Sequence, residues 1–257
     1  MSGQWWQVLF AGSFAGAATL AGMSMVLACE TWSRRYSAVL VSFSAGVLLG
    51  VGVLHILPEA MEMTTRAPFF ILLAFILFYF FEHHLLIHAG HEEQHHVNLE
   101  IADCHDGCCL RPHPMGWVAF VGMGLHSLID GVIIGTSFEV SQDLGLLAAL
   151  GVIAHEVPEG IAMVAILLHY GWQRRRAIQL TAFVALATPG AAFLTFAMVN
   201  NLSEPLLGDL LATAGGSFIY IAASDLIPES HRSRGLSATL ALCGGILLAW
   251  LAGHLAH

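Results

Sequence analysis

Two short polar motifs interrupt long apolar stretches of this chain: HSLIDG, which begins at His126, and HEVPEG, which begins at His155. Each motif places a histidine four residues before an acidic residue, Asp130 in the first and Glu159 in the second. Residues four apart share one face of a helix, so each motif presents an imidazole beside a carboxylate. Two such pairs brought together offer nitrogen and oxygen ligands that suit Zn²⁺ and also Fe²⁺, Mn²⁺ or Cd²⁺.

Ionisable side chains inside an apolar span are costly unless they are paired, hydrated or bound to a metal. One motif alone is compatible with a histidine that hydrogen-bonds between helices, or with a self-satisfied pair of His126 and Asp130. Two motifs at matching depth on consecutive helices favour a metal site instead. Glu156 lies about 100° further around the helix than His155, and it is the candidate for a third carboxylate.

The composition predicts a protein that crosses a membrane several times. The chain has 257 residues, of which 57% are hydrophobic and only 11% are charged, whereas soluble domains carry roughly a quarter charged residues. It contains no lysine, and its formal net charge is −9. A lipid bilayer is therefore the expected environment, and nucleic acid is not an expected partner.

Eight segments have the roughly 20 mostly apolar residues that a membrane-spanning helix needs. No segment shows the alternation typical of a membrane barrel, so we predict an all-α polytopic protein. Residues 1–257 then form a single transmembrane domain with one long His-rich loop, about 89–114. The first segment has no basic residue before it, so it is predicted to be a retained span rather than a signal peptide. The eight predicted spans cover about 5–29, 36–57, 68–88, 115–137, 145–169, 177–199, 206–227 and 236–256.

The positions of the arginines predict the orientation of these spans. With the N-terminus outside, eight of the nine arginines fall in inside loops, and only Arg66 lies outside. Both termini then face outward and the His-rich loop is cytoplasmic. The irregular spacing of its histidines matches no folded zinc module. Metal scavenging or sensing and a disordered polar loop remain open alternatives for this segment.

One local pattern occurs three times, as HILPE from His55, HEVPE from His155 and DLIPE from Asp225. In each copy a proline removes one backbone donor and frees a carbonyl group in the preceding turn. Inside a membrane that carbonyl needs another partner, which a neighbouring helix, a water or a passing ion can supply. The first copy closes span 2 and the third closes span 7 at the opposite face, as inverted repeats would.

These recurring acidic and histidine residues suggest a route for an ion. We predict that it enters from outside past His55, Glu59 and Glu62, and binds at the central motifs. It would leave past Asp225, Glu229 and His231. The alternative is that the residues at both helix ends are ordinary polar residues of the membrane interface.

The two central motifs resemble the signatures of the ZIP (Zrt/Irt-like) family of divalent-metal transporters. The fourth helix of that family reads H-[NS]-x-x-[DE]-G, and the fifth reads [HQ]-[ED]-x-P-[EH]-[GE]. The likeness extends to eight spans, outward termini, a His-rich third cytoplasmic loop, and the HILPEA and DLIPE segments of spans 2 and 7. The chain looks like a prokaryotic-type member.

This resemblance implies a transporter that moves Zn²⁺, or else Fe²⁺, Mn²⁺ or Cd²⁺, into the cytoplasm across the cell (inner) membrane. The metal is substrate, and no catalytic cofactor is expected. Spans 1–3 and 6–8 would be inverted repeats around spans 4–5, and movement of one bundle against the other would expose the site alternately. A homodimer remains open. The metal site would lie between spans 4 and 5, with Glu156 close by and four primary ligands: His126, Asp130, His155 and Glu159.

The chain departs from the family pattern at two positions. Members with a two-metal centre carry Asn after the fourth-helix histidine and Glu before the sixth-helix proline. Ser127 and Thr188 occupy those positions here, and we therefore predict one metal ion per protomer.

An intramembrane zinc hydrolase is the rival interpretation, because His155 and Glu156 resemble the start of an HExxH motif. However, Glu159 replaces the second histidine, and Pro158 lies inside the motif. A catalytic zinc usually keeps three protein ligands and one open position. Four or more ligands with polar residues at both exits favour passage, so the sequence predicts a transporter and not an enzyme. A metal sensor without transport is a third alternative.

Overall fold

The structure of the chain, a computed structural model, describes residues 2–28, 30–81, 115–199, 202–228 and 236–256. The regular elements in these ranges are all helical. Short π turns at Gly52–Ile56 and Ile221–Leu226 follow α2 and α9. The helices are α1 Ser2–Ala28, α2 Glu30–Val51, α3 Leu57–Met63, α4 Ala67–Phe81, α5 Met115–Val140, α6 Gln142–His169, α7 Arg174–Ala185, α8 Ala187–Val199, α9 Glu204–Tyr220 and α10 Leu236–Ala256.

The predicted polytopic all-α architecture is confirmed. Within the described ranges, seven helical stretches are long and apolar enough to cross a membrane. The eighth, predicted as 68–88, is represented by α4, which has 15 residues up to the end of its described range. The His-rich loop lies outside the described residues.

The two π turns occur just before the prolines of HILPE and DLIPE. The N–H of Leu57 reaches back five residues to Gly52, and that of Ile227 reaches back five residues to Ala222. A proline has no N–H to continue the ordinary four-residue ladder, and a wider turn moves each donor by one residue. The same device thus serves spans 2 and 7, which are related in the predicted repeat.

The helices pack as two groups. Helices α1, α5, α6, α7 and α8 form one, which we call the site group; helices α2, α3, α4, α9 and α10 form the other, which we call the flanking group. Helix α2 lies at the seam between them and packs on α6. Spans 1 and 6 fall in the site group, whereas spans 2, 3, 7 and 8 fall in the flanking group. This partition suits the inverted repeat, which remains a prediction.

Close backbone packing holds the site group together. A Cβ atom added to Gly160 of α6 would collide with the backbone carbonyl of Thr19 on α1. Across the seam the contact is made by side chains instead. A Cβ on Gly151 of α6 would lie 3.0 Å from the ring of Phe218 and 3.6 Å from Leu48, both in the flanking group. At Gly151 the two groups therefore meet through side chains and not through a close approach of their backbones.

Buried apolar side chains form two clusters at different depths. On the side of the bundle where the chain begins, the N-terminal side, the cluster draws on both groups through Leu48, Phe138, Leu147 and Phe218. On the opposite side, the buried members come from the site group and its α6–α7 connection: Met23, Val26, Ile161, Met163, Val164, Leu167, Trp172, Ala177 and Val184. Among the described residues, the two groups are therefore sealed together mainly on the N-terminal side.

Candidate metal centre

The two central motifs lie on antiparallel neighbours, α5 and α6. A tight connection at Ser141 joins these helices, and the Ser141 side chain caps α6 by accepting a hydrogen bond from the N–H of Leu144 at 3.1 Å. Such a cap satisfies one of the free donors at a helix start and fixes where the helix begins. The short connection holds the middle of α5 beside the middle of α6, where the motifs occur.

Four predicted ligands converge at this depth. One ligand atom from each of His126, Asp130, His155 and Glu159 can be chosen so that all four lie within 4.8 Å of one another. The Nε2 atom of His126 lies 3.3 Å from Nε2 of His155, 3.4 Å from Oδ2 of Asp130 and 3.8 Å from Oε2 of Glu159. Ligand atoms around a tetrahedral zinc are separated by roughly 3.3 Å, which follows from bonds of about 2.0–2.1 Å. The cluster therefore has the dimensions of a zinc site.

A hydrogen bond to the backbone fixes the ring of His155 so that its Nε2 atom points to the centre. Its Nδ1–H donates to the carbonyl of Gly151, one turn earlier on α6, at 3.0 Å. The Nε2 atom lies within hydrogen-bonding distance of Oδ2 of Asp130, at 3.1 Å. A protonated Nε2 would donate to this carboxylate, and a metal ion could bind both atoms in place of that proton.

Burial and unused lone pairs support this interpretation. Asp130, His155 and Glu159 are buried, whereas the His126 side chain is 23% exposed. Oδ1 of Asp130 and Oε2 of Glu159 are buried without a hydrogen-bond partner among the described residues. Such oxygens are costly to bury. A bound cation would satisfy them.

Glu156 lies outside this group of four, although the sequence made it a candidate ligand. Its Oε1 atom accepts a hydrogen bond from Thr188 at 2.7 Å, and its Oε2 atom accepts one from Thr19. Both oxygens are thus engaged by hydroxyl groups of α1 and α8. Glu156 links three helices of the site group beside the centre.

The two departures from the family pattern lie at the centre as hydrogen-bond donors. Ser127 donates to Oε1 of Glu159 at 3.1 Å, and Thr188 donates to Glu156. Sequence reasoning treated these positions only as lost ligands. It also missed Thr19 on α1, because an isolated threonine in an apolar span carries no spacing signal.

The route residues whose side chains the structure describes, His55, Glu59 and Glu62, do not join the central cluster. Nε2 of His55 lies 3.0 Å from the carbonyl of Ala249 on α10, and its ring fills the space beside Gly253. Glu59 is partly exposed on α3, and Glu62 is exposed there. On the other side, the backbone of Asp225 belongs to the second π turn. Glu229 and His231 lie outside the described residues.

The fold and the centre together define a class: a polytopic helical membrane protein with a buried cluster of His, Asp and Glu side chains, between two adjacent helices, that could hold a cation. The comparisons with known proteins place it within that class. The chain belongs to the ZIP zinc transporter family, whose model matches residues 2–111 and 87–252. The resemblance inferred from the motifs is thereby confirmed, while the prokaryotic type remains a prediction.

Individual relatives cover part of the chain. It is 33% identical to the human zinc transporter SLC39A7 over 142 residues, which are 51% of this chain and 30% of that protein. It is 28% identical to the zinc transporter YKE4 of Saccharomyces cerevisiae over 213 residues, which are 75% of this chain and 60% of that protein. The chain thus spans about a third to three fifths of the length of these curated relatives. Their names point to a transporter rather than an enzyme.

Proposed function

We propose that the chain carries a divalent transition metal ion, Zn²⁺ first among them, across a membrane through the central site. The observation that carries this proposal is the convergence of His126, Asp130, His155 and Glu159 on two adjacent spans. The relatives are named zinc transporters, which supports the same substrate. Fe²⁺, Mn²⁺ and Cd²⁺ remain candidates because the same donor atoms bind them.

The charges of the ligands suit a divalent ion at membrane depth. Two carboxylates, Asp130 and Glu159, offset the two positive charges of the metal, and two neutral imidazoles complete its shell. A neutral assembly avoids much of the penalty for placing an isolated charge in a low-dielectric interior. The site would therefore replace the hydration shell of the ion without leaving a net charge in the bilayer.

Alternating access would follow from the two packing groups. The apolar cluster of Leu48, Phe138, Leu147 and Phe218 separates the centre from the N-terminal side. We assign this arrangement to a state that is closed on the N-terminal side. Movement of the site group against the flanking group would open the seam at Gly151 and Phe218. Sub-ångström changes become such rigid movements because packed interfaces switch between discrete arrangements.

The orientation of the chain in the membrane rests on the arginine distribution, and the inward direction of transport rests on the resemblance to the family. Arginines concentrate on the side opposite the N-terminus, which we assign to the cytoplasm. Arg66, the exception, pairs with the buried Asp209 at 2.5 Å, and Thr64 donates to the other oxygen of Asp209 at 3.1 Å. The ion pair with Asp209 accounts for the presence of Arg66 on the outer side. We infer uptake through the cell membrane, along the route of His55 and Glu59 toward Asp225.

Uptake into proteoliposomes tests this function. Purified protein is reconstituted around a fluorescent zinc indicator, and external Zn²⁺ is added to wild type, Asp130→Ala, His155→Ala and empty liposomes. We expect saturable uptake by wild type alone, with both variants folded and monodisperse. Wild-type uptake by both variants would contradict the role of the site, and no uptake by wild type would favour a sensor or the rival hydrolase.

A further inference from the structure

The HEVPE proline motif lies within a continuous α-helix, whereas a π turn precedes the proline in each of the other two. Pro158 lies inside α6 and has no N–H to donate to the carbonyl of Ala154, four residues earlier. No π turn forms there: α6 keeps its α-helical hydrogen-bond pattern from Gln142 to His169. Instead, the hydroxyl of Ser44 on α2 donates to the Ala154 carbonyl at 2.5 Å. The missing donor is therefore supplied by the flanking group.

Ser44 has a second acceptor within its own helix. Its Oγ atom also lies 2.9 Å from the carbonyl of Leu40, one turn earlier on α2. A hydroxyl has one proton, so full donation to one carbonyl weakens donation to the other. If α6 moved away, the hydroxyl could turn to Leu40 and stay satisfied. The carbonyl of Ala154 would then lose its donor and meet water or the ion.

The position of this bond links it to the metal centre. Ala154 precedes the ligand His155, and Ser44 is 1% exposed at the seam between the two groups. We propose that Ser44 is a positioning residue: its hydroxyl latches the α6 turn that carries His155 to the flanking group in the state described here. The latch releases when the site group moves. This inference rests on the proposed transport cycle, because it assigns the bond to one of its two states.

Distance measurements across the seam test the latch. Spin labels are attached at Met61→Cys on α3 and Gln142→Cys at the start of α6, both exposed on the N-terminal side. The five native cysteines are replaced by serine, and uptake is checked in that background. Double electron–electron resonance, recorded without zinc, then gives the populations of short and long distances between the two spin labels. We expect Ser44→Ala to raise the long-distance population relative to the short one by roughly fivefold, the effect of losing one hydrogen bond.

Two further variants separate a latch from a general loss of packing. Ser42→Ala is the matched control, because Ser42 is also buried on α2 and donates to Ala38 of its own helix at 2.6 Å. Ser44→Thr keeps the hydroxyl. We expect both to retain the wild-type populations.

Equal populations in Ser44→Ala and wild type, or the same shift in Ser42→Ala or Ser44→Thr, would overturn the proposal. Wild-type uptake is measured on the same preparations. Its absence would refute transport, whereas uptake with unchanged distances would refute only the latch. A lowered KM for external Zn²⁺ in Ser44→Ala, without an equal rise in maximal rate, is the kinetic result expected from the same population shift.

Discussion

The contact between Asp130 and His155 shows how single residues build the site. Asp130 is fully buried, and its Oδ2 atom lies 3.1 Å from Nε2 of His155, whose other nitrogen is fixed by the Gly151 carbonyl. Each ligand is thus oriented before an ion arrives, which reduces the ordering that binding requires. Ser127 does the same for Glu159 through its hydroxyl. We therefore expect the residues beside the proposed ligands to influence how tightly an ion is held.

Replacement of Ser127 by alanine should weaken zinc binding. The change removes the donor to Oε1 of Glu159, and loss of such a partner typically lowers metal affinity by about 10-fold or more. Isothermal titration calorimetry of the purified protein with Zn²⁺ measures the change in Kd. Ser137→Ala on the same helix is the matched control, because its buried hydroxyl has no partner among the described residues. Equal affinities in both variants would contradict a positioning role for Ser127.

Zinc affinity should also decrease as the pH falls. Protons and Zn²⁺ compete for the imidazole nitrogens of His126 and His155, so binding the metal releases protons. Titrations between about pH 7.5 and pH 5.5, the range in which histidines commonly change charge, should show a rising Kd. His126→Asn should bind more weakly and show a shallower pH dependence. A Kd that stays constant with pH would argue against imidazole ligands.

At the scale of helices, the three prolines show what local sequence can and cannot determine. The spacing of His126, Asp130, His155 and Glu159 predicts two ligand faces, because the helical period relates residues four apart. The freed carbonyls before Pro58, Pro158 and Pro228 follow from the sequence in the same way. The hydrogen-bond partner of the carbonyl before Pro158 does not follow from the sequence, because Ser44 and Ala154 are 110 residues apart in the chain. Thr19 and Glu156 are likewise distant in sequence.

Gly160 tests the close packing of α1 and α6. An alanine there would place a methyl group against the carbonyl of Thr19, and overpacking of this kind costs about 1–3 kcal/mol. We expect a lowered thermal unfolding temperature in detergent for Gly160→Ala. Gly190→Ala on α8 is the control, because a Cβ there meets nothing within 4 Å. An unchanged unfolding temperature for Gly160→Ala would show that the two helices are not held so closely.

At the scale of the whole molecule, the division into two groups could not be obtained from the list of spans. Hydropathy identifies each span separately, and arginine counts orient them, but neither reports which helices pack together. The structure places α1 and α8 against the ligand helices, whereas α2 and α9 supply Leu48 and Phe218 across the seam. The centre thus belongs to one group, and its seal depends on the other.

The central claim is that one metal ion binds among His126, Asp130, His155 and Glu159. Anomalous diffraction at the zinc absorption edge, from crystals of the full chain grown with Zn²⁺, tests this claim most directly. We predict one strong peak within about 2.0–2.2 Å of a ligand atom from each of the four side chains, and its absence in Asp130→Ala crystals. A wild-type structure with zinc bound elsewhere and these four side chains uncoordinated would contradict the account.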